Sequence, residues 1–82
     1  MKKVYFRPAA VKDLEGLEDR DRDLVETAIE RFAKTGQGDV KKLRGGQNHL
    51  RLRAGDWRIR FIYEQPDAIR VLHIRNRREA YR

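Results

Sequence analysis

The hydrophobic pattern changes period once along the chain, from helical spacing in the first half to alternation in the second. Val4-Tyr5-Phe6 predicts a short strand, ended by Arg7-Pro8, where proline suits the first position of a helix. Ala10, Val11, Leu14 and Leu17 then recur at three- and four-residue spacing, with Lys12, Asp13, Glu15 and Glu18 on the other side. That is an amphipathic helix of about two to three turns, weakened at its end by Gly16. Asp19 or Asp21 can cap a second helix, in which Leu24, Val25, Ala28, Ile29, Phe32 and Ala33 form a broad apolar stripe. Gly36 stops it, and Gly36-Gln37-Gly38-Asp39 predicts a loop.

From Val40 onward the period is two. Leu50 and Leu52 alternate with His49, Arg51 and Arg53; Trp57, Ile59 and Phe61 alternate with Arg58 and Arg60; Ile69-Arg70-Val71-Leu72-His73-Ile74 is a third run. The short connections Ala54-Gly55-Asp56 and Glu64-Gln65-Pro66-Asp67 predict hairpins, hence an antiparallel meander. The expected fold is α+β in the order β-α-α-β-β-β, two N-terminal helices packed on an antiparallel sheet. Residues from Asn76 to Arg82 form a short basic tail beyond the last strand.

At 82 residues the chain is expected to make a single domain, 1–82, around one core. It contains no cysteine, so apolar burial alone must hold that core, and a reducing cytoplasm suits it. Only Val4, Tyr5 and Phe6 separate the basic start from Arg7-Pro8, too few for the apolar region of a signal peptide, and no segment is long enough to span a membrane.

Charge changes the picture more than composition does. Residues 1–39 carry eight Lys/Arg against nine Asp/Glu, a net of −1, whereas residues 40–82 carry twelve against four, a net of +8. Such one-sided excess attracts polyanions, with nucleic acid the leading class and anionic lipid or an acidic protein behind it. Alternation puts Arg51, Arg53, Arg58 and Arg60 opposite Leu50, Leu52, Trp57, Ile59 and Phe61, so one sheet face is apolar and the other rich in guanidinium. Arg75, Arg77, Arg78 and Arg82 add to it at the end of the third run, and like charges gathered so closely raise the free energy unless an anion joins them.

Other chemistry is sparse. His49 and His73 are the groups with an ordinary pKa near neutral and so candidate general bases, although strand histidines are more often structural. Asp56, Glu64, Asp67 and Glu79 are scattered, so no metal site is expected. Gly45-Gly46 after Lys41-Lys42-Leu43-Arg44 lacks the helix start and the lysine-serine or lysine-threonine pair of a phosphate loop. Trp57 reads as core filler rather than a stacking platform.

The ordered set LRG at Leu43–Gly45, LRLRAGDWRIRF at Leu50–Phe61 and RREAYR at Arg77–Arg82, behind two amphipathic helices, resembles the RelE/ParE superfamily of bacterial type II toxins across nearly the whole chain. The resemblance implies a toxin neutralised by a cognate antitoxin. In the RelE branch it implies cleavage of mRNA in the ribosomal A site, without metal or other cofactor; in the ParE branch it implies poisoning of DNA gyrase.

Carried over by motif position, Arg58 in GDWR matches a phosphate-stabilising arginine, Tyr81 in REAY an active-site tyrosine, Arg77 or Arg78 a cation near the leaving group, and Arg51 a basic strand residue of the site. The catalytic set implied is Arg51, Arg58, Arg77 and Tyr81. The surrounding RNA-binding set is Lys41, Lys42, Arg44, His49, Arg53, Arg60, Arg75, Arg78 and Arg82. The chain has arginines where RelE-type enzymes often have lysines, and arginine does not readily release its proton, so the general base stays open among ribosomal RNA groups, His49 and Tyr81. The expected activity is that of a ribosome-dependent mRNA endonuclease. Its rivals are a gyrase inhibitor and a non-catalytic nucleic-acid module.

Overall fold

The computed structural model describes residues 1–44 and 48–77. In chain order the elements are β1 (Lys3–Phe6), α1 (Pro8–Glu15), α2 (Asp19–Thr35), β2 (Asp39–Lys42), β3 (His49–Ala54), β4 (Trp57–Gln65) and β5 (Ala68–Asn76). The α+β class and the helix pair ahead of the sheet are as expected.

Local chemistry sets the helix ends. Pro8 opens α1, and α2 stops where Gly36 adopts the left-handed conformation (φ 75°) and donates its N–H to Phe32 O at 2.8 Å. The two helices are joined by Arg22 of α2. Its guanidinium donates to Leu14 O at 3.2 Å and Leu17 O at 2.8 Å, tying the start of α2 to the carbonyl end of α1 and the turn that follows it.

The strands lie in the order β1-β5-β4-β3-β2. Two features extend the expected meander. Asp39–Lys42 is a fourth strand after the helices, pairing antiparallel with β3, and β1 pairs parallel with β5, so the sheet is mixed. β1 ends at Phe6, and beyond it the outer edge of β5 is covered by α1. There the Asp13 carboxylate accepts the Ile74 N–H at 2.9 Å, satisfying a donor that β1 does not reach.

The helices cover one face of the sheet. Val25, Ile29 and Phe32 of α2 and Ala10 of α1 meet Leu52, Ala54, Ile59, Phe61, Ile69, Val71 and Ile74, with Trp57 packed at the margin as core filler. The β3–β4 connection is a two-residue turn, Gly55-Asp56, in which Gly55 takes φ 60°. A Cβ at Gly55 would lie 3.0 Å from Leu24 Cδ2. Gly55→Ala is therefore expected to cost about 1–2 kcal/mol, read as a lower urea midpoint with an unchanged slope.

Candidate nucleic-acid interface

Pairing register, more than sequence spacing, builds the charged face. Residues directly opposite in neighbouring strands share a face with Cβ atoms about 4.5–5.5 Å apart. One row runs Asp39, Arg53, Arg58, Arg75 across β2, β3, β4 and β5; the next runs Lys41, Arg51, Arg60, His73. Six cations from four strands thus lie within two adjacent rows, opposite the helices. Asp39 is the single carboxylate in them.

Asp39 reaches diagonally to Arg51, whose Nη2 donates to it at 3.4 Å. The Arg51 side chain is only 15% exposed, and its Nε is buried with no hydrogen-bond partner. The remaining donors therefore lie in a partly dehydrated setting, where an anion gains more than it would at a fully solvated lysine.

His73 enters the face through a bulge. Arg60 pairs with His73 and Phe61 with Val71, so Leu72 is the extra residue and the alternation of β5 resets after it. Without that reset His73 would point at the core. Its Nδ1 is buried and lacks a partner. Burial, then the Arg75 and Arg60 guanidiniums and more weakly His49, hold the imidazole below its ordinary pKa, while Asp13 pulls the other way.

A depressed histidine pKa has a definite sign for stability. Between the lowered folded pKa and the unfolded value of about 6.5, the unfolded chain holds more protons, so stability rises with pH there. It is expected to be fully present above about pH 7.5 and to decline as pH falls through about 6.5. Urea midpoints across this window should show that slope, and His73→Gln should lessen it. Glu30 and Glu64, lowered by Lys34 and Arg70, lose their contributions only at more acid pH.

The expected residues are brought together unequally. Lys41, His49, Arg51, Arg53, Arg58, Arg60 and Arg75 share the face, with His49 one row further along, opposite Ile62. Lys42 does not belong with them. Period two turns it to the helix side, beside Leu50, where it lines a groove with Asn48, Tyr63, Glu64, Gln65 and Pro66. Arg44 lies in an exposed turn outside the strands. Arg77 is exposed and its N–H donates to Asp56 O at 2.7 Å, which ties the end of β5 to the turn beside Arg53 and Arg58. Arg78, Tyr81 and Arg82 lie outside the described residues. His73 was missed as a member of the face; the signal is the doublet Val71-Leu72 between polar Arg70 and His73, which breaks alternation.

Among the described residues no group of three His, Cys, Asp or Glu is placed to hold a metal ion. Among them, too, no helix is long and apolar enough to cross a membrane.

Several solved structures share this fold. The RelB–RelE antitoxin–toxin complex of Methanococcus jannaschii contains a chain that is 26% identical, with 94% of each chain covered and a TM-score of 0.77. The RelE–RelB complex of Pyrococcus horikoshii OT3 is 23% identical over 93% of this chain and 94% of that one (TM-score 0.75). The RelBE toxin–antitoxin complex of E. coli is 16% identical over 93% and 96% (TM-score 0.74). At those lower identities the likeness speaks to the fold. No curated protein matches the chain. The family model described as "ParE toxin of type II toxin-antitoxin system, parDE" matches residues 4–81. The chain therefore belongs to the ParE toxin family of type II toxin–antitoxin systems, within the RelE/ParE superfamily.

Proposed function

We propose that this toxin is a ribosome-dependent mRNA endonuclease that works without metal, and that the two cationic rows grip the RNA backbone at the site of cleavage. The observation that carries the proposal is the in-register set Arg53, Arg58, Arg75 beside Lys41, Arg51, Arg60, His73. Metal-free cleavage requires the 2′-hydroxyl to attack the neighbouring phosphorus, a group to take its proton, cations for the charge that builds on the phosphoryl oxygens, and an acid for the departing 5′-oxygen. Arginine forks suit the third requirement because they bind two phosphate oxygens at once and stay charged.

In this reading Arg58 and Arg51 bind the scissile phosphate, Arg77 stands near the leaving group, and Tyr81 orients the attacking nucleotide. Arginine seldom releases its proton, so proton acceptance falls to an imidazole, and burial with the Arg75 and Arg60 guanidiniums favours the neutral form of His73 on this face. The cognate antitoxin would place carboxylates over the same arginines; the structural neighbours are themselves toxin–antitoxin complexes, which supports such a partner.

The family match favours a second reading, inhibition of DNA gyrase. Primer extension on a defined message in a reconstituted translation reaction, with and without ribosomes, separates the two. New ribosome-dependent 5′ ends are the result expected of the nuclease. Intact message at a dose that arrests cells, together with loss of supercoiling in a gyrase assay, would assign the chain to the second reading.

A further inference from the structure

A third row lies on the charged face, next to the Arg60 row. It runs His49, Ile62, Arg70 and Tyr5 across β3, β4, β5 and β1. Its arginine differs from the others. Arg70 donates through Nε and through Nη2, the latter at 3.0 Å, to the two carboxylate oxygens of Glu64. A guanidinium whose charge is matched by a carboxylate attracts a phosphate weakly, and the carboxylate repels one.

What Arg70 retains is its flat face. Its guanidinium carbon stands 5.3 Å from the centre of the Tyr5 ring, and Tyr5 is 43% exposed on a strand at the sheet edge. The Glu64 clamp fixes the guanidinium where it lies over the Tyr5 ring, and half-buried Ile62 lies beside them. The result is a nearly neutral, aromatic patch bordering six cations. Diagonal neighbours such as Arg60 and Arg70 are about 7–8 Å apart at Cβ, within the reach of one nucleotide.

We infer that Tyr5 and the Glu64-clamped Arg70 form a stacking platform for one unpaired base of the RNA whose phosphates lie on the Arg51–Arg60 row. The inference rests on the RNA reading above. Tyrosine rings and guanidinium planes both stack on bases, and such stacking tolerates any base because each has a π-face. The platform holds a base while the neighbouring rows hold the backbone, which fixes the polarity and register of the strand as well as its location.

Fluorescence anisotropy of the full chain tests this, using a labelled single-stranded oligoadenylate hexamer and the same ribose-phosphate hexamer without bases. Tyr5→Ala should weaken binding of the oligoadenylate about tenfold, leave the salt dependence unchanged, and have no effect on the abasic hexamer. Tyr5→Phe should retain the affinity, and Tyr5→Leu, apolar but without a π-face, should repeat the loss if alanine disturbs folding. Arg60→Ala, a phosphate control, should weaken both hexamers and lower the salt slope by about one. Wild-type affinity in Tyr5→Ala and Tyr5→Leu would overturn the platform and leave the RNA reading standing. Absence of salt-dependent binding by the wild type would overturn both.

Discussion

Replacing Arg58 with alanine is expected to slow ribosome-dependent message cleavage by about 10²–10³-fold, the effect typical of removing one preorganised donor from a developing oxyanion. Arg58 is the central member of its row, with Arg53 on one side and Arg75 on the other. A phosphoryl group over it meets three forks from three strands of one hydrogen-bonded sheet, so little reorganisation is needed as charge builds. The check is a single-turnover rate on programmed ribosomes for wild type, Arg58→Ala and Arg58→Lys. Lysine keeps the charge but loses the planar fork, so it should fall between the other two.

Stability separates this role from a structural one. Removing a half-buried arginine between two like charges sheds repulsion as well as contacts, so the unfolding free energy of Arg58→Ala should change by less than about 1 kcal/mol. A large loss of cleavage at nearly constant urea midpoint is the expected pair of results. Equal losses in both would mean that Arg58 acts through the fold, and cleavage at the wild-type rate would remove it from the site.

How far the sequence discloses this arrangement depends on whether a signal is local. The stripe of α2 is legible because five of its six apolar positions face the core or its margin, although Leu24, at the stripe's edge, remains 44% exposed. The two faces of β3 and β4 are legible because strict alternation needs only the chain's own geometry. β2 is not: Asp39-Val40-Lys41-Lys42 offers one apolar residue, and its charges are those by which a short edge strand avoids pairing with other chains. The parallel β1–β5 pairing joins the two ends of the fold, and no periodicity encodes it.

The site follows the same division. Arginines on β3 and β4 can be assigned to a face from sequence, but the bulge at Leu72 hides the side to which His73 belongs. Nor does the sequence tell a free arginine from an occupied one. Arg60 and Arg70 are alike by composition and differ because Glu64 lies within reach of only the second. That distinction divides the basic surface into a strongly cationic part and a nearly neutral aromatic part.

Phe61→Ala is expected to be the most damaging substitution in the core, costing about 3–5 kcal/mol. A protein of this length has about 4–12 kcal/mol in total, so the variant should be partly or largely unfolded at 37 °C. Phe61 is 1% exposed and lies in the middle of β4, where its ring meets Phe32 of α2 at 5.3 Å between centroids and the edge of Tyr63 at 6.0 Å. The Lys2 ammonium stands 5.3 Å from the centre of the same Phe32 ring, so truncating Phe61 leaves a cavity beneath a side chain that joins helix, sheet and the residue just ahead of β1. Phe61→Leu retains most of the volume and should retain most of the stability. Because Arg60 and Ile62 flank Phe61 on the opposite face, loss of this contact also removes the surface on which the cationic rows are aligned. RNA binding and the folded baseline in a thermal scan should therefore disappear together in Phe61→Ala, whereas in Arg58→Ala cleavage should be lost while the fold remains.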